Sequence, residues 1–159
     1  MDTDRSAVYA AELAAFDGTD LELVVGVEPL AALVDRLTAG QWWPGPGVVL
    51  RPARSDARSS TTRCADVGAT IRLAHSQATV ATAAHELAHA LAGVGAGHDG
   101  RFRAAYLDVI AVITTLEPTD RRGPLHVDQL RIAFAADGLD VAPRAWPAPP
   151  ATIVGPIAL

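Results

Sequence analysis

The chain has 159 residues and a formal net charge of −5, with 50% of its residues apolar and 19% charged; this suits one soluble globular domain with a core of its own. The acidic balance is the wrong sign for a protein whose main work is gripping phosphate backbones, so nucleic acid is disfavoured as a partner. No apolar run is long enough to span a bilayer, the acidic start MDTDRSAVYAAE lacks the order of a secretory signal, and the single cysteine, Cys64, excludes an internal disulfide; together these favour the cytoplasm.

Residues 5–16 (RSAVYAAELAAF) predict a helix that ends before Asp17-Gly18. The short Val- and Leu-rich run LELVVGV at 21–27 predicts a strand. Pro29 fits the first turn of a helix over 29–39, with Leu30, Leu33, Val34 and Leu37 on one face and Gly40 at its end. QWWPGPG at 41–47 is a loop by its Pro and Gly content, and VVLRP at 48–52 a second strand. Residues 53–63, rich in Arg, Ser and Thr, predict an exposed loop, and VGATIRLAH at 67–75 a third strand. Ser76 is the expected N-cap of a helix over 77–92 closed by Gly93, followed by a glycine-rich turn. Residues 99–116 form the clearest amphipathic pattern, with Phe102, Ala105, Tyr106, Val109, Ile110 and Ile113 at helical spacing and Pro118 beyond the end. A last helix runs from Pro124 to about Ala136 and closes at Gly138. We read residues 1–142 as the domain and the Pro- and Ala-rich residues 143–159 as an extended tail that contributes little to the core.

The helix at 77–92 contains ATAAHELAHALAG, an apolar body interrupted by His85, Glu86 and His89. On a wheel of about 100° per residue, with His85 at zero, His89 falls at about 40°, Thr82 at about 60°, Glu86 at about 100° and Thr79 at about 120°. Apart from Gln77, every polar side chain of the helix lies in that one arc. Two imidazoles four residues apart stack on one face and can converge on a zinc ion. Glu86, pointing about 100° away from His85, is poorly placed as a co-ligand but well placed to bond a water on the metal. Zinc lowers the pKa of such a water to about 7, and Glu86 can take its proton and pass it to a leaving amine, the H-E-x-x-H chemistry of zinc metalloproteases. The bland alternative is a pair of core histidines satisfied by hydrogen bonds.

A site of this kind needs a third protein ligand and keeps its fourth position open. His98 is the leading candidate, because glycines at 93, 95 and 97 let the chain turn back toward the helix. Asp99 is its rival, with a competing use as N-cap of the next helix. Nine residues separate His89 from His98, which excludes the metzincin spacing. Cys64 reads better as a small hydrophobe than as a ligand, His75 as a strand-end residue, His126 as exposed, and Tyr106 as core packing. Trp42 and Trp43 are cleft walls or core anchors. Arg51, Arg54, Arg58 and Arg63 form a basic segment that reads as a solvated loop, with weak nucleic-acid contact as the sharper alternative.

At HELAHAL followed by GHDGRF, the chain resembles small zincin-type metallohydrolases of actinobacteria and their phages, and more distantly the SprT-like metallopeptidases. The resemblance spans roughly residues 5–141 and includes VYAAE at 8–12, the spacing of His98 and Phe102, and a closing helix ending at Asp137-Gly138. It implies an α+β, minimal zincin-like fold: a short three-stranded sheet packed on the active helix, with residues 67–75 as the edge strand lining the cleft, and further C-terminal helices. Such an edge takes an extended peptide by strand addition. The expectation is a zinc metallohydrolase acting on a peptide or protein, with His85, His89 and His98 on the metal and Glu86 as general base. The rivals are a non-catalytic protein that keeps zinc for folding and a SprT-like DNA-associated protease.

Overall fold

The structure is a computed structural model that describes residues 2–116 and 123–150, and its first helices fall where apolar spacing puts them. Helix α1 (Arg5–Phe16) buries Val8, Ala11, Ala15 and Phe16. Helix α2 (Val27–Ala39) buries Leu30, Leu33, Val34 and Leu37, the four residues that share one face at helical period.

The sheet has three strands, but not the expected three. Strand β1 (Val48–Pro52) pairs in parallel with β3 (Gly68–Leu73), and β2 (Thr61–Ala65) pairs antiparallel with β3, giving the order β1-β3-β2. Residues 21–27 form no strand. They make one 3₁₀ turn at Asp20–Glu22 and then extended chain, in which the Val25 and Gly26 N–H groups both donate to the Ala78 carbonyl, at 2.9 and 3.3 Å. Only Leu21 of the run is buried; Leu23, Val24 and Val25 face solvent, so its apolar character marks no core strand. The third strand is TTRCA, whose polar composition reads as loop. Its paired threonines suit an extended backbone, and the two-residue connection Asp66–Val67 folds it back on β3 as a hairpin. That hairpin makes β3 the central strand, so the expected edge at 67–75 is corrected: the edge strand beside the central helix is β2.

That helix, α3 (Val80–Ala92), starts later than expected because residues 75–77 form a 3₁₀ turn. Thr79, not Ser76, is the N-cap, its hydroxyl accepting from the Thr82 N–H at 3.1 Å. Helix α4 (Gly100–Leu116) lies along α3. It is not amphipathic in place, since every residue from Phe102 to Thr114 is buried. Helix α5 (Gly123–Ala136) and the chain after it cover the side away from α3. The Asp108 carboxylate, which the sequence pattern puts on a wet face, is instead buried beneath Arg144 and Trp146. Arg144 grips its two oxygens from Nε and one Nη at 2.6 and 2.9 Å, and the Trp146 indole N–H donates to it at 2.9 Å. The Trp42 indole N–H reaches the Pro147 carbonyl at 2.9 Å. The first part of the proline-rich tail is therefore docked, whereas Pro118 and residues 151–159 lie outside the described residues. Among the described residues no helix is long and apolar enough to cross a membrane.

Truncation after Ala142 removes the partners of a buried carboxylate and of a buried indole. It is expected to cost about 2–3 kcal/mol, or roughly 5–10 °C in Tm, by thermal unfolding followed by circular dichroism. An unchanged Tm would show that these contacts add nothing.

Candidate metal centre

The polar arc of α3 faces inward, against the start of α4. His85 is buried, His89 partly so, and the glycine turn after α3 delivers a buried His98 to the same place. The three ring centroids stand 4.9–5.1 Å apart, and one nitrogen from each ring lies within 4.8 Å of the others. Phe102 forms the floor, its ring 4.5–4.9 Å from all three imidazoles. Tyr9 of α1 stacks on His85 at 5.6 Å and meets His98 edge-on at 5.4 Å, with the Arg5 guanidinium over the Tyr9 ring.

Two carboxylates hold the rings from behind. Glu12 bonds Nδ1 of His85, and Asp2 bonds Nδ1 of His98 at 2.5 Å. With the proton of each ring on Nδ1, the Nε2 lone pairs are free and face each other at 3.1 Å. Two ligand nitrogens on one tetrahedral zinc, each at about 2.0–2.1 Å, stand roughly 3.3–3.4 Å apart. The nitrogen donor set, its spacing and its carboxylate backing all fit that ion.

Glu86 is buried beside the cluster, and the Thr62 hydroxyl on edge strand β2 lies 2.6 Å from its Oε2 and 2.9 Å from its carbonyl oxygen. Burial pushes the Glu86 carboxyl up, against the opposing pull of Thr62 and His85. Burial, and then the neighbouring His85 and His98, push His89 down to about 3. His98 is also lowered, by burial first, with Asp2 working the other way. Burial depresses His85 too, but the Glu12 carboxylate outweighs it and the net shift is upward. A cleft of about 400 Å³ opens onto His85 and Glu86 between α1 and β2, with Tyr9, Thr61 and Thr82 on its walls.

The structure thus gathers His85, His89, His98 and Glu86. Asp99 stands outside the cluster and caps α4, its Oδ1 accepting from the N–H groups of Arg101 and Phe102 at 2.8 and 3.2 Å. Cys64 is exposed on β2 and His75 is exposed on its 3₁₀ turn. His126, expected at the surface, is buried, with its Nε2 3.4 Å from Asp20 and its ring against Phe16. Tyr106 is fully buried, its hydroxyl donating to the Ala81 carbonyl. Trp42 is a core anchor, and neither it nor Trp43 lines the cleft. Arg51, Arg54, Arg58 and Arg63 are all exposed, the first and last on strands.

Three contributors have no place in the sequence reading: Glu12 as a partner of His85, Asp2, and Thr62. Glu12 carries a signal, because on the α1 wheel it falls about 40° from Val8, inside the arc spanned by Ala11, Ala15 and Phe16. A carboxylate within a buried stripe needs a partner. Asp2 and Thr62 carry none, since their contacts arise only from tertiary folding.

No protein-family model, curated protein or solved structure matches the chain.

The depressed His89 gives a pH signature in metal-free protein. Unfolded His89 binds a proton near pH 6.5, whereas the folded ring does so only near pH 3, so the unfolded state holds more protons in between and stability falls as pH drops through that window. The stability difference between parent and His89→Gln should shrink by up to about 1.4 kcal/mol per pH unit below about pH 6.5. Urea titrations from pH 4 to 7 would measure it, and parallel curves would contradict the assignment.

Proposed function

We infer that this chain is a zinc-dependent metallohydrolase, by preference a peptidase, with His85, His89 and His98 as metal ligands and Glu86 as general base. One observation carries the reading: two buried Nε2 atoms face each other at 3.1 Å while both Nδ1 atoms are held by carboxylates. Two bare lone pairs do not sit at that distance in a dry pocket without a shared proton or cation. When bound, zinc supplies Lewis-acid polarisation of a carbonyl and makes water a competent nucleophile near neutral pH.

The residues then have defined tasks. Glu86 takes a proton from the attacking water as the new C–O bond forms, and returns it to the leaving nitrogen as the C–N bond breaks. Its burial, which raises its proton affinity, suits a group that must both accept and release a proton. Thr62 fixes Oε2, which leaves Oε1 for the water. Edge strand β2 runs beside the cleft and pairs through one side only among the described residues. Its open side suits an extended peptide added as a further strand, which favours amide substrates. A non-catalytic zinc protein is the second reading, favoured only by the structural use of the same three ligands; the cleft opening onto Glu86 weighs against it.

Protein purified without added metal should carry one zinc per chain by elemental analysis, and a content near zero that stays so after zinc dialysis would refute the metal site. His98→Ala should weaken zinc binding by orders of magnitude in competition with a chromogenic chelator. Asp99→Ala should keep the metal and cost about 1 kcal/mol of stability through its lost cap. In a peptide-library assay, Glu86→Gln should retain zinc and lower hydrolysis at least about a hundredfold. Parental activity in that variant would remove Glu86 from its role, and no cleavage by either protein would favour the non-catalytic reading.

A further inference from the structure

The carboxylates that hold the imidazoles come from residues 2–12, and the first of them precedes any helix. Asp2 contacts His98 twice: Oδ2 meets Nδ1 at 2.5 Å, and Oδ1 accepts from the backbone N–H at 3.3 Å. Two residues on, Asp4 receives one Nη of Arg103 at 2.7 Å. The same buried guanidinium donates to the His98 carbonyl at 2.7 Å and, through Nε, to the Asp140 carbonyl at 2.6 Å. Residues 2–4 are thus fastened to both sides of His98. Gly97 makes room for this, with φ at +56° and an added Cβ only 3.1 Å from the Asp2 carboxyl carbon.

What holds residues 2–4 is almost wholly polar. None of the three is buried, and the segment carries no apolar side chain. Its seat depends on the Asp2–His98 and Asp4–Arg103 contacts. The cleft opens on the other side of the cluster, onto His85 and Glu86.

We propose that residues 2–4 are a strap whose docking is coupled to metal binding, with Asp2 a positioning residue for His98 and Glu12 one for His85. This rests on the zinc reading above. A carboxylate on Nδ1 fixes the tautomer and ring plane that present Nε2 and raises the basicity of that nitrogen; loss of such a partner costs about 10–100-fold in metal affinity. Coupling between two binding events is reciprocal. If the docked strap tightens zinc by that factor, zinc tightens strap docking by the same factor.

The test measures both directions on the full chain. Zinc affinity is measured by chelator competition for the parent, Asp2→Asn and, as a neighbouring control, Thr3→Ala. In parallel, removal of the first residues by an added aminopeptidase is timed with and without zinc, since such trimming reports the undocked population. The expected result is an affinity loss of about 10–100-fold in Asp2→Asn and none in Thr3→Ala, with zinc slowing trimming of the parent by a similar factor but not of Asp2→Asn. A purely structural Asp2 would lower the Tm of the metal-free protein and leave both the zinc affinity and the zinc-dependent protection intact; that result overturns the strap. Zinc binding by the parent with equal binding by Asp2→Asn also overturns the strap and leaves the metal site standing. No zinc binding by the parent overturns both.

Discussion

Imidazole nitrogens in a dry pocket must each have a partner, and most of the architecture around α3 can be traced to that demand. The helix is built largely from alanine and leucine, and it lies against α4 with Phe102 under the histidines. The apolar side chains of that shell, Phe102 among them, cannot bond a ring nitrogen. The Nδ1 atoms of His85 and His98 are satisfied outward, by carboxylates from α1 and the segment before it, while their Nε2 atoms are turned inward and face each other at 3.1 Å. The outward partners bring the N-terminal segment against the α3–α4 pair. The facing Nε2 atoms leave a space whose dimensions match a small cation.

Electrostatics follows from the same arrangement. One histidine is raised and two are lowered, although all three share a pocket. The difference is how far a carboxylate offsets burial. Glu12 against His85 outweighs it, Asp2 against His98 offsets it in part, and His89, with no carboxylate bonded to its ring among the described residues, is lowered to about 3. A neutral, desolvated imidazole is the form that ligates metal.

Legibility in the sequence tracks how local each feature is. The stripe of His85, Glu86 and His89 follows from helical geometry alone, and Asp99 as a cap follows from its place at a helix start. Glu12 was readable by the same wheel, since it falls among buried alanines. His98 needed the glycines before it. The misreadings share a cause. LELVVGV has strand composition but no strand beside it, and TTRCA has loop composition but a partner in β3. Pairing decides a strand, and pairing is a property of the fold. Likewise α4 has a polar residue, Asp108, on the side that looks wet, and only the returning chain at Arg144 and Trp146 makes it an interior residue.

The Arg103 guanidinium joins three parts of the chain, at Asp4, His98 and Asp140. This sets the modularity of the centre. The helix bearing His85 and His89 is a short contiguous piece that would transplant into another scaffold with its pattern intact. The seat of His98 would not travel with it, because its support comes from positions near both ends of the described chain and from a helix in between. No excised fragment containing only α3 and α4 carries the complete arrangement, so a transplant that aims to preserve it must take nearly the whole domain.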